Sequence, residues 1–165
     1  MIGYLKYFFT VLKHKYFVIV AGRKLGLGYI QLVLHDISKF LPVEFIAYKR
    51  RFIDKDNTAL GVMEFDYAWN HHQKNNKHHW QYWVVDLDNF LLIPVKHLKE
   101  MAADYFAAAR AYNGAWPSSY ISWVWYSQHF HNVKMLSQSK EQLVVYLDKL
   151  MLSFNNNIKK FKIRD

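Results

Sequence analysis

A length of 165 residues accommodates one domain with a substantial core and excludes two ordinary domains joined by a linker. Hydrophobic residues make up 52% of the chain and aromatic residues 18%, a composition that excludes a disordered protein. The formal net charge of +9 favours anionic partners such as nucleotides, nucleic acid or acidic lipid, without choosing among them. The chain has no cysteine, so any metal has to be bound by His, Asp, Glu and water.

Basic residues interrupt every apolar run of the first 34 residues well before the width of a bilayer is reached. They are Lys6, Lys13, Lys15, Arg23 and Lys24. The aromatic-rich beginning of the chain also differs from the basic, apolar and small-residue order of a secretory signal. The sequence therefore predicts no membrane partner and a cytoplasmic location, in the host cytoplasm if the chain is viral.

The first predicted helix covers about Tyr4 to Val18, where inward residues recur at steps of three and four. They are Tyr4, Tyr7, Val11, His14 and Val18. After three closely spaced glycines, Tyr29 to Ile37 is apolar nearly all round, which predicts a fully buried helix with His35 and Asp36 at its end.

Pro42 suits the first turn of a third helix, which is predicted to run through Glu44 to Phe52. The polar stretch 54–61 predicts a loop, and a fourth helix is expected from Met63 to about His72. Residues 75–77 break that helix. Two apolar, β-prone runs in 80–94 predict a short hairpin or an extended excursion.

Val95 to Asn113 carries the clearest helical pattern, followed by Gly114 as a C-terminal stop. Its predicted apolar stripe consists of Leu98, Met101, Ala102, Tyr105, Ala109 and Tyr112. Two more helices are expected at about 120–130 and 140–154, the second with Ser139 as N-cap, before a basic tail. The pattern as a whole predicts an all-α, single-domain helical bundle.

Candidate metal ligands lie on three of these helices. An ionised Asp36 at the end of a buried helix requires a partner, and a divalent cation is one solution, although His35 and Asp36 can equally form a hydrogen-bonded structural pair. His14 faces inward from the preceding helix, and a lone inward histidine is commonly a core residue. In the Val95 to Asn113 helix, His97, Glu100 and Asp104 form a polar stripe at steps of three and four.

This order of a His, a His-Asp pair and a distant Asp resembles the HD phosphohydrolase superfamily. The resemblance implies an HD-type helical bundle over residues 1–165, with the metal bound by His14, His35, Asp36 and Asp104. The motifs themselves are similar to those of an uncharacterised family of small bacterial and bacteriophage HD-like proteins, over residues from about 14 to 126. They are His35-Asp36-Ile37-Ser38-Lys39-Phe40, the run Ala68-Trp69-Asn70-His71-His72-Gln73-Lys74-Asn75 with His78-His79-Trp80, and Glu100-Met101-Ala102-Ala103-Asp104.

The resemblance also gives a role to two histidine pairs between the His-Asp pair and the final Asp. In HD proteins, histidines in this interval bind a second metal or the substrate phosphate, which implies such roles for His71, His72, His78 and His79. The member of each pair that faces the site is left open. In the alternative interpretation, one His of each pair is a surface residue and the other packs on Trp80 or Trp83.

Several further residues are candidates for catalysis or substrate binding. Lys39 lies one turn beyond the His-Asp pair and is expected to contact a phosphate, unless it is a solvated lysine. Glu100 is a candidate ligand-orienting residue or proton carrier, assisted by His97, and Arg110 is a candidate phosphate ligand. Aromatic residues near the histidines are candidates for stacking on a nucleobase, although such residues more often belong to the core: Trp69, Trp80, Tyr82 and Trp83.

The functional hypothesis is a metal-dependent phosphohydrolase acting on a nucleotide or a related phosphate ester. The ligand types favour Mn, Fe, Co, Ni or Zn over Mg. Two rival hypotheses stay open: a nucleic-acid-binding protein that depends on the positive charge, and a non-catalytic metal-bound HD scaffold. A homodimer is also open on sequence alone.

Overall fold

The computed structural model describes residues 2–162, with side chains up to residue 155. These residues form a predominantly helical domain with one two-stranded antiparallel sheet. The α-helices are α1 (Ile2–Lys24), α2 (Tyr29–Leu34), α3 (Pro42–Phe52), α4 (Ala59–Asn75), α5 (Val95–Asn113), α6 (Val124–His129) and α7 (Ser137–Lys162). Short 3-10 helices cover Ile37–Phe40, Trp80–Trp83 and Phe130–Asn132, and the strands are β1 (Val84–Asp86) and β2 (Asn89–Phe90).

The larger of two hydrophobic cores is built around α5. This helix packs against α1 on one side and α7 on the other, because apolar residues occupy most of its circumference. Phe106 and Leu98 of α5 and Leu147 of α7 are completely buried there. Burial of each such side chain contributes roughly 1.5–3 kcal/mol to folding.

The smaller core joins the first half of α1 to α3 and α4. Tyr7 and Val11 of α1 pack with Ala47 and Tyr48 of α3 and with Ala68 of α4. Since α1 contributes Val18 to the larger core, the buried His14 lies on α1 between the two cores. The His14 imidazole is thus a buried polar side chain at the boundary between the two cores.

The structure confirms the all-α class and several predicted element positions. Helix α5 covers the expected Val95–Asn113, and Gly114 follows it with a φ of 80°, the left-handed conformation that glycine adopts readily. Helix α3 begins at Pro42 as expected. The predicted hairpin is present as β1 and β2. None of the helices within residues 2–162 is long and apolar enough to cross a bilayer.

The prediction of a fully buried helix over Tyr29 to Ile37 is wrong. Helix α2 ends at Leu34, and Leu32 is its buried residue, whereas Ile30 is 79% exposed. A helix of six residues lies on α1 through one side only, so its remaining apolar side chains face outward. His35 and Asp36 consequently follow the helix in a turn instead of ending it.

The predictions for the C-terminal elements need correction as well. Ser139 is not an N-cap, because α7 already begins at Ser137, and the buried Ser139 hydroxyl accepts a hydrogen bond from the Ile93 N–H at 3.3 Å. The helix expected at 120–130 is the shorter α6. The predicted basic tail extends into residues 163–165, which lie outside the described residues.

Candidate metal centre

Three elements bring His14, His35, Asp36 and Asp104 together, and we name these four residues the first cluster. His14 comes from the middle of α1 and Asp104 from the middle of α5, while His35 and Asp36 occupy the turn after α2. Asp36 has a left-handed backbone, with a φ of 55°, a conformation that aspartate tolerates better than most residues. This turn allows two successive side chains to contact the same site.

The spacing of the first cluster matches that of ligands around one ion. His14 Nε2 lies 2.9 Å from Asp104 Oδ1 and 3.7 Å from Asp36 Oδ2. His35 Nε2 lies 3.4 Å from Asp36 Oδ2 and 3.5 Å from Asp104 Oδ1. Ligand atoms about 2.1 Å from a tetrahedral ion are separated by about 3.4 Å. The four side chains therefore fit a divalent cation.

A second cluster consists of Asp36, His72, His78 and His79. All four residues are buried, and one ligand atom from each lies within 4.8 Å of the others. Asp36 Oδ1 lies 3.3 Å from His72 Nε2 and 3.2 Å from His78 Nε2. Because Oδ2 belongs to the first cluster, the two oxygens of Asp36 serve different clusters.

Asp36 Oδ2 accepts a hydrogen bond from Lys39 Nζ, but most of the other candidate ligand atoms have no hydrogen-bond partner among the described residues. Asp36 Oδ1 and the Nε2 atoms of five histidines are in this state. The histidines are His14, His35, His72, His78 and His79. Buried polar atoms are normally paired, so the convergence of these atoms is suited to binding a cation. The set of carboxylate and imidazole donors suits such an ion.

Glu100 orients two of the histidines. Its Oε1 accepts a hydrogen bond from His35 Nδ1 at 3.1 Å and lies 3.5 Å from His78 Nδ1. Donation from Nδ1 leaves Nε2 of His35 with its lone pair facing the clusters. Gln31 Nε2 donates to the other oxygen of Glu100 at 2.6 Å. The structure thus places Glu100 behind the ligands.

Glu44 orients a histidine of the second cluster in the way that Glu100 orients His35. This completely buried carboxylate accepts hydrogen bonds from His72 Nδ1 at 2.8 Å and His71 Nδ1 at 2.7 Å. Ser38 Oγ also donates to it at 3.0 Å. His71 therefore contacts Glu44 and belongs to neither cluster. In the first histidine pair only His72 faces the site, whereas in the second pair both His78 and His79 do, so the alternative with one surface histidine in each pair does not apply to the second pair.

The electrostatics of the clusters favour ionised carboxylates. Burial opposes the charge of Asp36, but His35 and Lys39 outweigh burial and hold its pKa well below the usual range. Burial likewise opposes the charge of Asp104, whose pKa is held down by His14 and His35. Burial lowers the pKa of His14 and of His79. Burial also opposes the charge of His35 and His72, but the neighbouring Asp36 outweighs burial and raises the pKa of both.

Lys39 contacts the site directly. Its Nζ donates to Asp36 Oδ2 at 2.5 Å, and the side chain lines the open side of the clusters together with His14. Burial disfavours the ammonium form, but the nearby Asp36 raises the pKa of Lys39 well above its usual value. Lys39 is therefore a fixed positive charge beside the candidate metal ligands.

The remaining predicted site residues are dispersed. Trp80 and Trp69 both line a cavity of about 660 Å³ beside Asp104 and His79. The Arg110 guanidinium lies over the Phe17 ring at 5.3 Å, and Arg110 lines neither of the two cavities next to the clusters. His97 Nδ1 is 3.8 Å from Glu100 Oε2, at the edge of the network.

Sequence reasoning named Glu100 but missed the residues that support the second cluster. Glu44 lies on α3, two residues after Pro42, and only the packing of α3 against α4 brings it to His72. Asn76, just beyond α4, donates to Ser38 Oγ at 2.8 Å and completes this network. A carboxylate in the first turn of a helix is ordinarily explained by the helix dipole, so the sequence carried no separate signal for Glu44.

The model of the family of unknown function DUF5662 matches residues 3–150. The chain belongs to this family. The match covers α1 to most of α7 and contains every residue of both clusters. No match to the chain was found among curated proteins or among solved structures.

Proposed function

We infer that this DUF5662 protein is a metal-dependent phosphohydrolase of the HD type, in which two divalent ions share Asp36. The observation that carries the proposal is the convergence of unpartnered, buried histidine nitrogens on both oxygens of one buried carboxylate. Buried atoms without hydrogen-bond partners cost stability, and bound cations would remove that cost. The order of His14, His35-Asp36 and Asp104 along the chain, which resembles HD proteins, supports the same function.

The reaction would replace the ester oxygen on phosphorus by the oxygen of water and release the alcohol with a proton. Divalent ions bound at the clusters would lower the pKa of a water molecule and withdraw charge from the phosphoryl oxygens. The Lys39 ammonium lies on the open side of the clusters and would bind the same oxygens electrostatically. Glu100 and Glu44 would hold the imidazoles of His35 and His72 in place.

A nucleotide is the proposed substrate class. The net charge of +9 favours an anion, and the cavities beside the clusters are lined by aromatic rings that include Trp69 and Trp80. Histidine-rich clusters favour Mn, Fe, Co, Ni or Zn over Mg as the ion. The nucleic-acid-binding rival gains less support, because two of the three cations of α3 pair with carboxylates: Lys49 with Asp54, and Arg50 with Asp56 and Glu64.

The test combines metal analysis with hydrolysis assays on the purified full chain. Wild-type protein is expected to bind two ions, one for each cluster, and to release phosphate from nucleotides or aryl phosphates. Asp104→Asn should lose the ion of the first cluster and retain that of the second, so the metal content of this variant should be about half that of wild type. Asp36→Asn should disrupt both clusters and abolish turnover.

Asp66→Asn, which changes an exposed carboxylate on α4, is the matched control and should behave as wild type. Unchanged metal content and turnover in Asp36→Asn would exclude the proposed site. Two bound ions without turnover of any phosphate ester would favour the non-catalytic scaffold instead.

A further inference from the structure

A cavity of about 520 Å³ adjoins the first cluster, within the size range of sites for small organic ligands. Six aromatic side chains line it, and we call it the aromatic chamber. They are Tyr7, Tyr48, Phe52, Phe65, Trp69 and Tyr112. Such a lining suits a flat, largely apolar group.

The aromatic chamber opens on the candidate metal centre. His14 and Lys39 line both this chamber and the neighbouring cavity that contains Asp104 and His79. The Tyr112 ring stacks on His14 with a centroid distance of 6.0 Å and an interplanar angle of 5°. If the phosphoryl group of a substrate binds beside Lys39, its organic substituent therefore lies next to the aromatic rings.

Two phenol groups of the chamber are buried and unpaired. Tyr7 is 3% exposed and Tyr48 is 5% exposed, and neither hydroxyl has a hydrogen-bond partner among the described residues. Burial raises the pKa of both phenols, so each keeps its proton and remains a hydrogen-bond donor. Buried, unpaired hydroxyls destabilise a fold unless a ligand pairs with them.

The charges around the chamber restrict the ligand further. Lys39 and Lys55 line it, whereas its described lining contains no carboxylate. The Thr10 hydroxyl already donates to the Lys6 carbonyl at 2.9 Å. The two lysines disfavour a cationic ligand, and the protonated phenols favour a ligand that carries hydrogen-bond acceptors.

We propose that the aromatic chamber binds the organic group of the substrate, and that this group is a flat, uncharged ring whose carbonyl oxygens accept hydrogen bonds from Tyr7 and Tyr48. The proposal rests on the phosphohydrolase function inferred above and specifies its substrate class. Uridine monophosphate has such a ring. Cytidine monophosphate has the same sugar and phosphate but replaces one carbonyl by an amino group, and phenyl phosphate has no acceptor on its ring.

The experiment compares these three esters on manganese-loaded full-length protein. Wild type is expected to prefer uridine over cytidine monophosphate by at least roughly tenfold in kcat/KM. Tyr7→Phe and Tyr48→Phe should each lower kcat/KM for uridine monophosphate by roughly five- to tenfold, mainly through KM. For phenyl phosphate, whose ring has no acceptor, the loss in either variant should be smaller than for uridine monophosphate.

Thermal unfolding separates ligand binding from a structural role. Each Tyr→Phe change removes a hydroxyl that has no partner in the fold, so the melting temperature of the free protein should not fall. Tyr67→Phe is the matched control, because Tyr67 is 77% exposed and lies outside the chamber. It should leave both melting and kinetics unchanged.

Calorimetric binding of uridine monophosphate provides a readout that does not depend on turnover. Binding that is weakened by Tyr7→Phe and Tyr48→Phe supports the chamber even in a protein without hydrolase activity, in which case only the proposed function fails. The chamber assignment is overturned if wild type has equal kcat/KM for uridine and cytidine monophosphate and neither tyrosine variant changes binding. Hydrolysis of phenyl phosphate would still support the proposed function in that case.

Discussion

Glu100 orients histidines of the candidate metal centre and is not itself a member of either cluster. The substitution Glu100→Gln keeps the size of the side chain but removes the charge that orients His35 and His78. We expect metal affinity to fall about 10- to 100-fold, as is typical when a supporting partner of a ligand is lost. Titration against a chelating dye measures this change.

The exposed Glu141→Gln on α7 is the control for Glu100→Gln and should bind metal as wild type does. If Glu100→Gln bound metal with unaltered affinity, the assignment of Glu100 as an orienting residue would be incorrect.

Asp56 predicts a pH dependence of stability away from the clusters. Hydrogen bonds from Thr58, with a further contribution from Arg50, lower the pKa of Asp56 from 3.8 to about 2. This carboxylate ionises more readily in the folded state than in the unfolded state. Its contribution to the free energy of unfolding is therefore complete above pH 3.8 and disappears as the pH falls through about 2. Urea unfolding midpoints of wild type and Asp56→Asn should therefore differ at pH 6 and converge near pH 2. A gap that stayed constant across this range would contradict the assignment.

Residue-level prediction from the sequence succeeded where the pattern was local. The inward position of His14 follows from the spacing of Tyr7, Val11 and Val18 on one helix. The contact between His72 and Glu44 could not be predicted, because it depends on how α3 and α4 pack across a gap of 28 residues. The resemblance to HD proteins gave His14, His35, Asp36 and Asp104 as a set, and the structure brings these residues together.

At the level of elements, the packing of α2 on α1 controls where the His-Asp pair lies. A Cβ added at Gly22 of α1 would be 2.3 Å from Leu32 Cδ2 of α2, so alanine there requires the completely buried Leu32 side chain or the helices to shift. We expect Gly22→Ala to destabilise the protein by about 1–3 kcal/mol and to weaken metal binding through His35 and Asp36. Chemical denaturation and metal titration measure the two effects.

Gly28→Ala is the matched control for Gly22→Ala. Gly28 precedes α2 with a φ of −70°, and an added Cβ would have no neighbour within 4 Å. Stability should be unchanged or slightly increased, since alanine restricts the unfolded chain. Equal losses in the two variants would show that close helix packing is not the cause.

Element predictions failed where tertiary packing outweighed composition. The run Tyr29 to Ile37 is apolar on all sides, yet α2 covers six residues and exposes Ile30, Val33 and Leu34. Composition reports how apolar a segment is but does not report whether neighbouring elements cover it. By contrast, α5 was predicted to the residue, because its apolar stripe is regular and Gly114 marks its C-terminal end.

On the scale of the whole molecule, metal binding should stabilise the fold. The clusters join α1, α4, α5 and the turn after α2, which belong to two separate hydrophobic cores. A ligand that binds only the folded state stabilises it by about 2.7 kcal/mol at a concentration 100 times its dissociation constant. The melting temperature should therefore rise on addition of Mn²⁺ and return to the starting value with a chelator, whereas Asp36→Asn should show little response. A wild-type melting curve insensitive to both additions would contradict the proposed metal centre.

Asp36 contributes one carboxylate oxygen to each cluster, so two ions would not bind independently. A carboxylate common to both clusters makes the two binding equilibria interdependent, and the factor by which one ion changes the affinity of the other is the same in both directions. Repulsion between neighbouring dications opposes the second addition, so loading should proceed in two separate steps of unequal strength. At intermediate metal concentrations, the prevailing species would then be a half-filled protein.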